Sequence, residues 1–456
     1  MSLWDPYKPS DAAPWNRRRV VHLHKRAGFA ATWREIERDL ADGPDAAVTR
    51  IVERQAHLVG VPEGFESLAA IIGQAAVDSG SAGRLKAWWL YRMLFSPDPL
   101  GERLALVWHN HFATSNLKVN DLAAMRRQND IFREFGRAPF GELLRRVVHD
   151  SALLIWLDAQ ANRKEHPNEN LARELMEIFT LGVGHYSEGD VKEAARALTG
   201  WTVTARGEFR EIAERHDDGE KTILGKTGAW RGGELVEMLL DNPATAKRLA
   251  LRICELLMGE GVVDESSLAA LADGLREHNL DIGWGVETVL RSRLFFSQGN
   301  IGKRVPGPAE FVVGSLRALE MFDPPPSTLV LSEWVANLGQ DLFYPPNVFG
   351  WPGGRSWITT RSIIGRLKFA SALAEGAVRN PAVPFDALAL AKRHGRGDDL
   401  AAAVGFYCEL LLGDAEGAIV DEVQAAVRRE AADRALADEV RRAVAAILSR
   451  PEAGLG

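Results

Sequence analysis

The feature that most constrains this chain is its punctuation. Segment after segment carries a helical apolar period of about 3.6 residues and closes on a recognisable start or stop signal. In "ATWREIERDLADGP", Thr32 stands three residues before Glu35, the spacing of a capping box, and Gly43-Pro44 ends the run. "GRLKAWWLYRMLFSPDPLGERLALVWHNHFATS" reads as two helices broken at Pro97 and Pro99. The series continues over 121–135 and 142–157. Ser187 and Asp190 repeat the capping-box spacing ahead of "DVKEAARALTGW".

One stretch breaks the period. "WTVTARGEFREIAERHDDGEKTILG" has β-branched residues, a short alternation and the turn "DDGE", which predicts one or two small β-hairpins over 201–225. Helical patterning then returns. Pro324, Pro325 and Pro326 make a stiff break, and "DLFYPPNVFGWPGGRSW" (341–357) is a loop too rich in large rings to be a simple linker. From about Asn380 the chain is Ala-rich and ends in a long helical pattern. No fixed-period repeat is present. The expected fold is mainly α: a multi-helix globular array with a small β-hairpin insertion. Residues 1–380 form the expected core, and 381–456 form a C-terminal helical subdomain that either stands apart or joins the same domain.

Composition narrows the function classes. A chain of 456 residues buries a large core. Hydrophobic residues at 46% and charged residues at 26% are ordinary for a soluble globular protein. A formal net charge of -7 argues against a general nucleic-acid binder, whose footprint is basic. Cys254 and Cys408 lie in apolar helical runs with no metal spacing, and are expected to be buried free thiols. "RRRVVHLHKRAGF" near the N-terminus lacks the apolar core of a signal peptide, so the cytoplasm is the expected location. No run of about 18 apolar residues occurs, and no membrane span is expected.

The chemistry-bearing residues gather in four places. "HPNENLARELMEIFTLGVGHY" (166–186) is an amphipathic helix with two possible starts: His166 as N-cap with Pro167 following, or Asn168 as cap. "GVG" at 182–184 ends it. At 100° per residue, Asn170, Arg173, Glu174 and Glu177 share one polar stripe, with Arg173 and Glu177 spaced as an i,i+4 ion pair. His185 follows at the exit. In "VWHNHFATSNLK", His109 and His111 bracket Asn110. If the helix ends near Asn110 the two rings converge and serve as ligands for a divalent metal, with Glu174 and Glu177 available to complete the set. The other reading is of buried histidines that fix a helix end. In "RHDDGEKTILG", His216 beside Asp217 and Asp218 is either a base or ordinary turn chemistry. In "YPPNVFGWPGGRSW", Asn347, Trp351 and Arg355 with their neighbouring rings form either a stacking platform for a sugar, peptide or flat ligand, or a plug between helical layers.

Five segments together resemble the bacterial DUF1800 family: "KRAGFAAT", "WHNHFATS", "PNENLARELMEIFTLGVGHYSEGDVKEAARALTGW", "HDDGEKTILG" and "YPPNVFGWPGGRSW". The resemblance spans roughly residues 15–375 and implies no activity or catalytic residue. It does imply a context. Members are encoded beside sulfatase-like DUF1501 proteins, many of which look exported, which points to a partner protein or shared pathway. Two functional expectations follow. One is a metal-assisted hydrolase whose site lies between the "WHNHF" helix end and the "NENLARELMEIF" helix. There His109 and His111 are ligands or bases, Glu174 and Glu177 ligands or acid/base groups, Arg173 an anion clamp, and His185 part of the rim. The other is a non-catalytic scaffold or assembly factor, with the polar stripe closed on itself. A third class, carbohydrate or peptide binding by the aromatic loop, requires exposed rings near Trp351.

Overall fold

The computed structural model describes residues 3–55, 59–429 and 435–455. Among them, 23 α-helices and two two-stranded antiparallel sheets follow one another along the chain. The local signals explain most boundaries. Thr32 accepts from the Glu35 backbone while Glu35 accepts from Thr32, a complete capping box on the Trp33–Asp42 helix. Ser187 and Asp190 do the same for Glu188–Ala197. The proline break separates Ala82–Phe95 from Pro99–His111, where Asp98 Oδ1 caps the Gly101 N–H at 2.9 Å and Pro99 takes the first helical position.

Two expectations need correction. The span 142–157 is two helices, Phe140–Val148 and Ser151–Trp156, because Asp150 turns its carboxylate back on the Leu153 N–H at 3.0 Å and starts a new helix. The β insertion contains two hairpins and runs three residues further than expected. β1 (Trp201–Val203) pairs with β2 (Phe209–Glu211), and β3 (Lys221–Ile223) pairs with β4 (Lys226–Gly228). The second turn is Leu224-Gly225, both at positive φ, so "DDG" lies between the hairpins rather than at a hairpin tip.

One continuous set of buried side chains runs from Tyr7 to Leu448. The C-terminal helices contribute to it: Leu400–Leu412 packs against Arg17–Ala27, and Phe406 lies against Trp33 with ring centroids 4.9 Å apart. Four further helices pack in succession. Phe65–Asp78 lies on Ala82–Phe95, which lies on Thr328–Asn337. Trp334 of the last then meets Phe369 of Thr360–Ala374 edge to face at 5.6 Å. Cys254 and Cys408 are buried and free, as expected. No helix of the described residues is long and apolar enough to cross a membrane.

Buried charge ties the interior together. Glu102 is 1% exposed and accepts from Arg92 Nε and Arg133 Nε, both at 2.8 Å. Burial alone would raise its pKa, but the two guanidiniums hold it below the ordinary value. Removing one member of such a cluster strands the opposite charges in low dielectric. Glu102→Ala is therefore expected to cost about 3–5 kcal/mol, read as a lower urea midpoint at unchanged slope; a loss under about 1 kcal/mol would show that Glu66 and Asp130 satisfy the arginines without it.

Candidate functional site

The "WHNHF" helix and the "NENLARELMEIF" segment do meet, but through backbone. The latter starts as α-helix over Asn170–Glu174 with Glu169, not His166 or Asn168, in the N-cap position and no side-chain cap; Asn168 Oδ1 accepts the Asn170 N–H at 3.0 Å one residue ahead of it. From Leu175 to Thr180 it widens into a π-turn. The Met176 carbonyl accepts from Leu181 N at 2.9 Å and Gly182 N at 3.2 Å. A π-turn changes which carbonyls are available to other partners. His111 Nε2 donates to the Phe179 carbonyl at 3.1 Å, and Arg248 Nε donates to the Ile178 carbonyl at 3.4 Å. Gly182 and Gly184, at φ +86° and +89°, turn the chain away, as "GVG" predicts.

The π-turn also breaks the expected ion pair. Its wider turn takes Glu177 out of register with Arg173. Arg173 instead binds Glu169 at 2.9 Å and Glu188 at 2.7 and 2.8 Å. Glu177 accepts from the Tyr186 hydroxyl. Asn170 donates to Asp158 at 3.2 Å, and His185 is exposed. The polar stripe is thus closed largely on itself and its neighbours, and none of Asn170, Arg173, Glu174, Glu177 and His185 lines the cleft bounded by Arg103 and Trp351 or the smaller cavity bounded by Phe29 and Phe311.

His109 and His111 do not converge. The Pro99–His111 helix runs through both, and residues two apart on a helix point to different sides. His109 is fully buried in an aromatic box, 5.3 Å from Trp89, 5.5 Å from Phe343, 5.9 Å from Phe132 and 5.4 Å from Trp351. Burial pulls its pKa down to about 3, so the ring is neutral. Among the described residues no group of three or more His, Cys, Asp or Glu stands close enough to hold a metal ion. His216 is a structural lock: its Nδ1 lies 3.0 Å from the Thr199 carbonyl, while Asp217 takes a two-pronged bond from Arg196.

In the aromatic loop Phe349 is 65% exposed, but the ring at Trp351 is not part of an exposed platform. Trp351 is only 3% exposed, stacked on His109. Asn110 holds the loop there: its Oδ1 accepts the Trp351 N–H at 2.6 Å, and its Nδ2 donates to the Trp351 carbonyl at 3.5 Å. Gly350 sits at φ +83°, and a Cβ there would lie 2.2 Å from Asn110 Oδ1 and 2.6 Å from its carbonyl, so only glycine fits. Asn347 is exposed and forms the turn by accepting from Phe349 N at 2.9 Å.

This clamp forms one wall of a cleft of about 680 Å³. The Pro99–His111 helix supplies Arg103, Val107, Asn110 and His111, a stripe at helical spacing. The Pro243–Leu257 helix supplies Arg252, Glu255 and Leu256. The loop at 303–307 and the start of Pro308–Ala318 supply Lys303, Arg304 and Glu310, and the aromatic loop supplies Trp351, Arg355 and Trp357. Five arginines and lysines (Arg103, Arg252, Lys303, Arg304, Arg355) face three carboxylates (Glu255, Glu260, Glu310), so the cleft is basic on a chain of net charge -7.

The cleft residues are held by charge. Glu310 binds Arg103 at 2.5 Å and Arg304 at 2.5 and 2.9 Å. Burial would raise the Glu310 carboxyl, but these guanidiniums hold it down at about 2. Burial pulls Arg103 down to about 10 against the attraction of Glu310, and it stays charged at neutral pH. Four residues of the wall keep buried polar atoms with no hydrogen-bond partner among the described residues: Arg103 Nε and Nη2, Arg252 Nε, Trp351 Nε1 and His111 Nδ1. Burial, then Arg252 and Arg248, drive the His111 pKa well below the ordinary value. Its Nε2 carries the proton donated to Phe179, so Nδ1 is left as an acceptor.

Of the residues lining the cleft, the sequence pointed to His111, Trp351 and Arg355 but not to Arg103, Arg252, Arg304 and Glu310. The available signal was a charge inside an otherwise apolar helical run, as at Arg103 in "GERLALVW".

A family model described as a protein of unknown function (DUF1800) matches residues 22–455. No curated protein and no solved structure matches.

One titration follows from the stripe. Burial, with Glu177 beside it and against the pull of Arg173, pushes the Glu174 carboxyl from 4.5 up to about 7. The folded chain keeps a proton there that the unfolded chain releases above 4.5. Glu174 therefore withdraws stability as pH climbs from 4.5 through about 7. Glu174→Gln is expected to unfold at a higher urea concentration than wild type above that window and at the same concentration below it. An equal midpoint across the whole range would mean that Glu174 ionises freely in the folded protein.

Proposed function

The chain belongs to the DUF1800 family, and we propose that it binds a small oxyanion-bearing molecule, a carboxylate or phosphate, in the basic cleft, which is its site of action. The observation that carries this is the basic lining of the cleft, five arginines and lysines against three glutamates, backed by partnerless buried groups in its wall. An unsatisfied buried polar atom costs about 1–3 kcal/mol, and three of the four residues concerned, Arg103, Arg252 and Trp351, offer N–H donors. Donors in excess, with five cations nearby, suit an acceptor-rich anion. His111 Nδ1 suits a hydroxyl or water on the same ligand. In the hydrolytic reading His111, with its ring oriented by the Phe179 carbonyl, is the group placed to hold that water.

The closed polar stripe at Asn170, Arg173 and Glu177 favours a second reading for that other surface: a scaffold holding helices in register. Its partner is then the sulfatase-like DUF1501 protein implied by the resemblance.

The cleft proposal is tested by titrating inorganic phosphate and citrate against thermal unfolding and by calorimetry. At a ligand concentration one hundred times Kd the fold gains about 2.7 kcal/mol, and the melting temperature rises accordingly. Arg252→Ala and Arg355→Ala should each weaken binding by about tenfold, or 1.4 kcal/mol. Binding that is absent in wild type for both anions, or unchanged in both variants, would remove the cleft as an anion site.

A further inference from the structure

Two helices, Phe65–Asp78 and Thr360–Ala374, leave apolar faces uncovered. On Phe65–Asp78 the buried positions are Phe65, Ala69, Gly73 and Ala76, mostly small, and they pack inward. The larger residues Leu68, Ile71 and Ile72 point out, 37–66% exposed. They fall with Ala75 within about 100° of one another around the helix. On Thr360–Ala374 the inward face is Phe369, Ala370 and Leu373, and the outward arc is Ile363, Ile364 and Leu367, 40–49% exposed. Contiguous exposed aliphatics of this kind mark docking surfaces.

The charges on the two helices are opposite. Phe65–Asp78 carries Glu66 and Asp78 and no base, with exposed Glu63 just ahead of it. Glu66 turns away from the stripe onto Arg92, so Asp78 and Glu63 are the acids beside it. Thr360–Ala374 carries exposed Arg361 and Lys368 and no acid. Either face docked on its own copy would bring like charges together, which disfavours a two-fold contact through one helix. The two faces complement each other instead.

We infer that the chain self-associates head to tail, the Leu68–Ile71–Ile72 stripe of one copy seated on the Ile363–Ile364–Leu367 arc of the next. Because the two faces lie on different helices, docking one leaves the second face of each copy free. The contact is heterologous, so it adds copies until the rotation closes a ring. Two turns of helix a side make an interface small against the ~1,600 Å² of a standard one. The association is weak and is sought at high protein concentration.

Sedimentation velocity over a concentration series tests this on the full chain. Wild type should show a weight-average coefficient that climbs with concentration. Ile71→Asp and Ile364→Asp should each stay monomeric, since each destroys one face in every copy. An equimolar mixture of the two should recover a dimer and nothing larger, because one intact face of each kind remains. Should either aspartate variant unfold, Asp78→Lys and Lys368→Glu, at solvent-exposed charges, replace them: each alone should stay monomeric, and their mixture should associate beyond the dimer, because both contacts then pair opposite charges. A wild type that stays monomeric throughout, a single variant that still associates, or a mixture that stays monomeric would each overturn the inference. Wild type but not Ile364→Asp floating with vesicles of phosphatidylcholine and phosphatidylserine in equal amounts would also overturn it, assigning the arc to an anionic bilayer.

Discussion

Much of this structure depends on how Glu310 is held. One carboxylate, almost out of solvent, accepts from Arg103 on one helix and from Arg304 on the approaching loop, and also caps its own helix through the Gly307 N–H at 2.6 Å. Two positive charges and one negative charge in low dielectric are tolerable only with tight geometry. Two chain segments distant in sequence, the Pro99–His111 helix and the 304–310 stretch, are thereby fixed relative to one another. That fixes the cleft wall, and it leaves Arg103 with N–H groups that its single carboxylate partner does not use.

The second organising element is the contact between "WHNHF" and the aromatic loop. Asn110, between two histidines that draw the eye, does the positioning by bonding both polar groups of the Trp351 backbone. Its neighbours are then assigned by helix geometry alone. His109 turns into the aromatic box and His111 turns toward the π-turn and the cleft. Spacing of two on a helix, which had suggested a shared ligand, is the reason that they part.

Local signals were legible wherever backbone chemistry decides structure: the capping boxes at Thr32 and Ser187, the proline break at 97–99, the glycine stop at 182–184, and the mainly helical class. Long-range burial was not. The periodicity of 170–177 assumes 100° per residue, and nothing in a single sequence announces that Leu175–Thr180 will widen into a π-turn to feed carbonyls to His111 and Arg248. Trp351 looked like an exposed stacking ring because loops are usually exposed; the Asn110 clamp, 241 residues away in sequence, buries it in the cleft wall. Arg103 and Arg252 were hidden for a related reason. Arginine in a helical run reads as surface until its neighbours are known.

The π-turn has a consequence for communication across the molecule. Its outer side carries Glu177 and the Tyr186 hydroxyl bonded to it, while its carbonyls hold His111 at the cleft and Arg248 beside it. One turn of backbone therefore belongs to two surfaces. A molecule that displaces the His111 ring must either break its bond to the Phe179 carbonyl or drag that carbonyl with it. A change in the packing of Tyr186 reaches the same peptide units from the other side. Such a linkage is reciprocal: whatever free energy the cleft exerts on the stripe, the stripe exerts on the cleft.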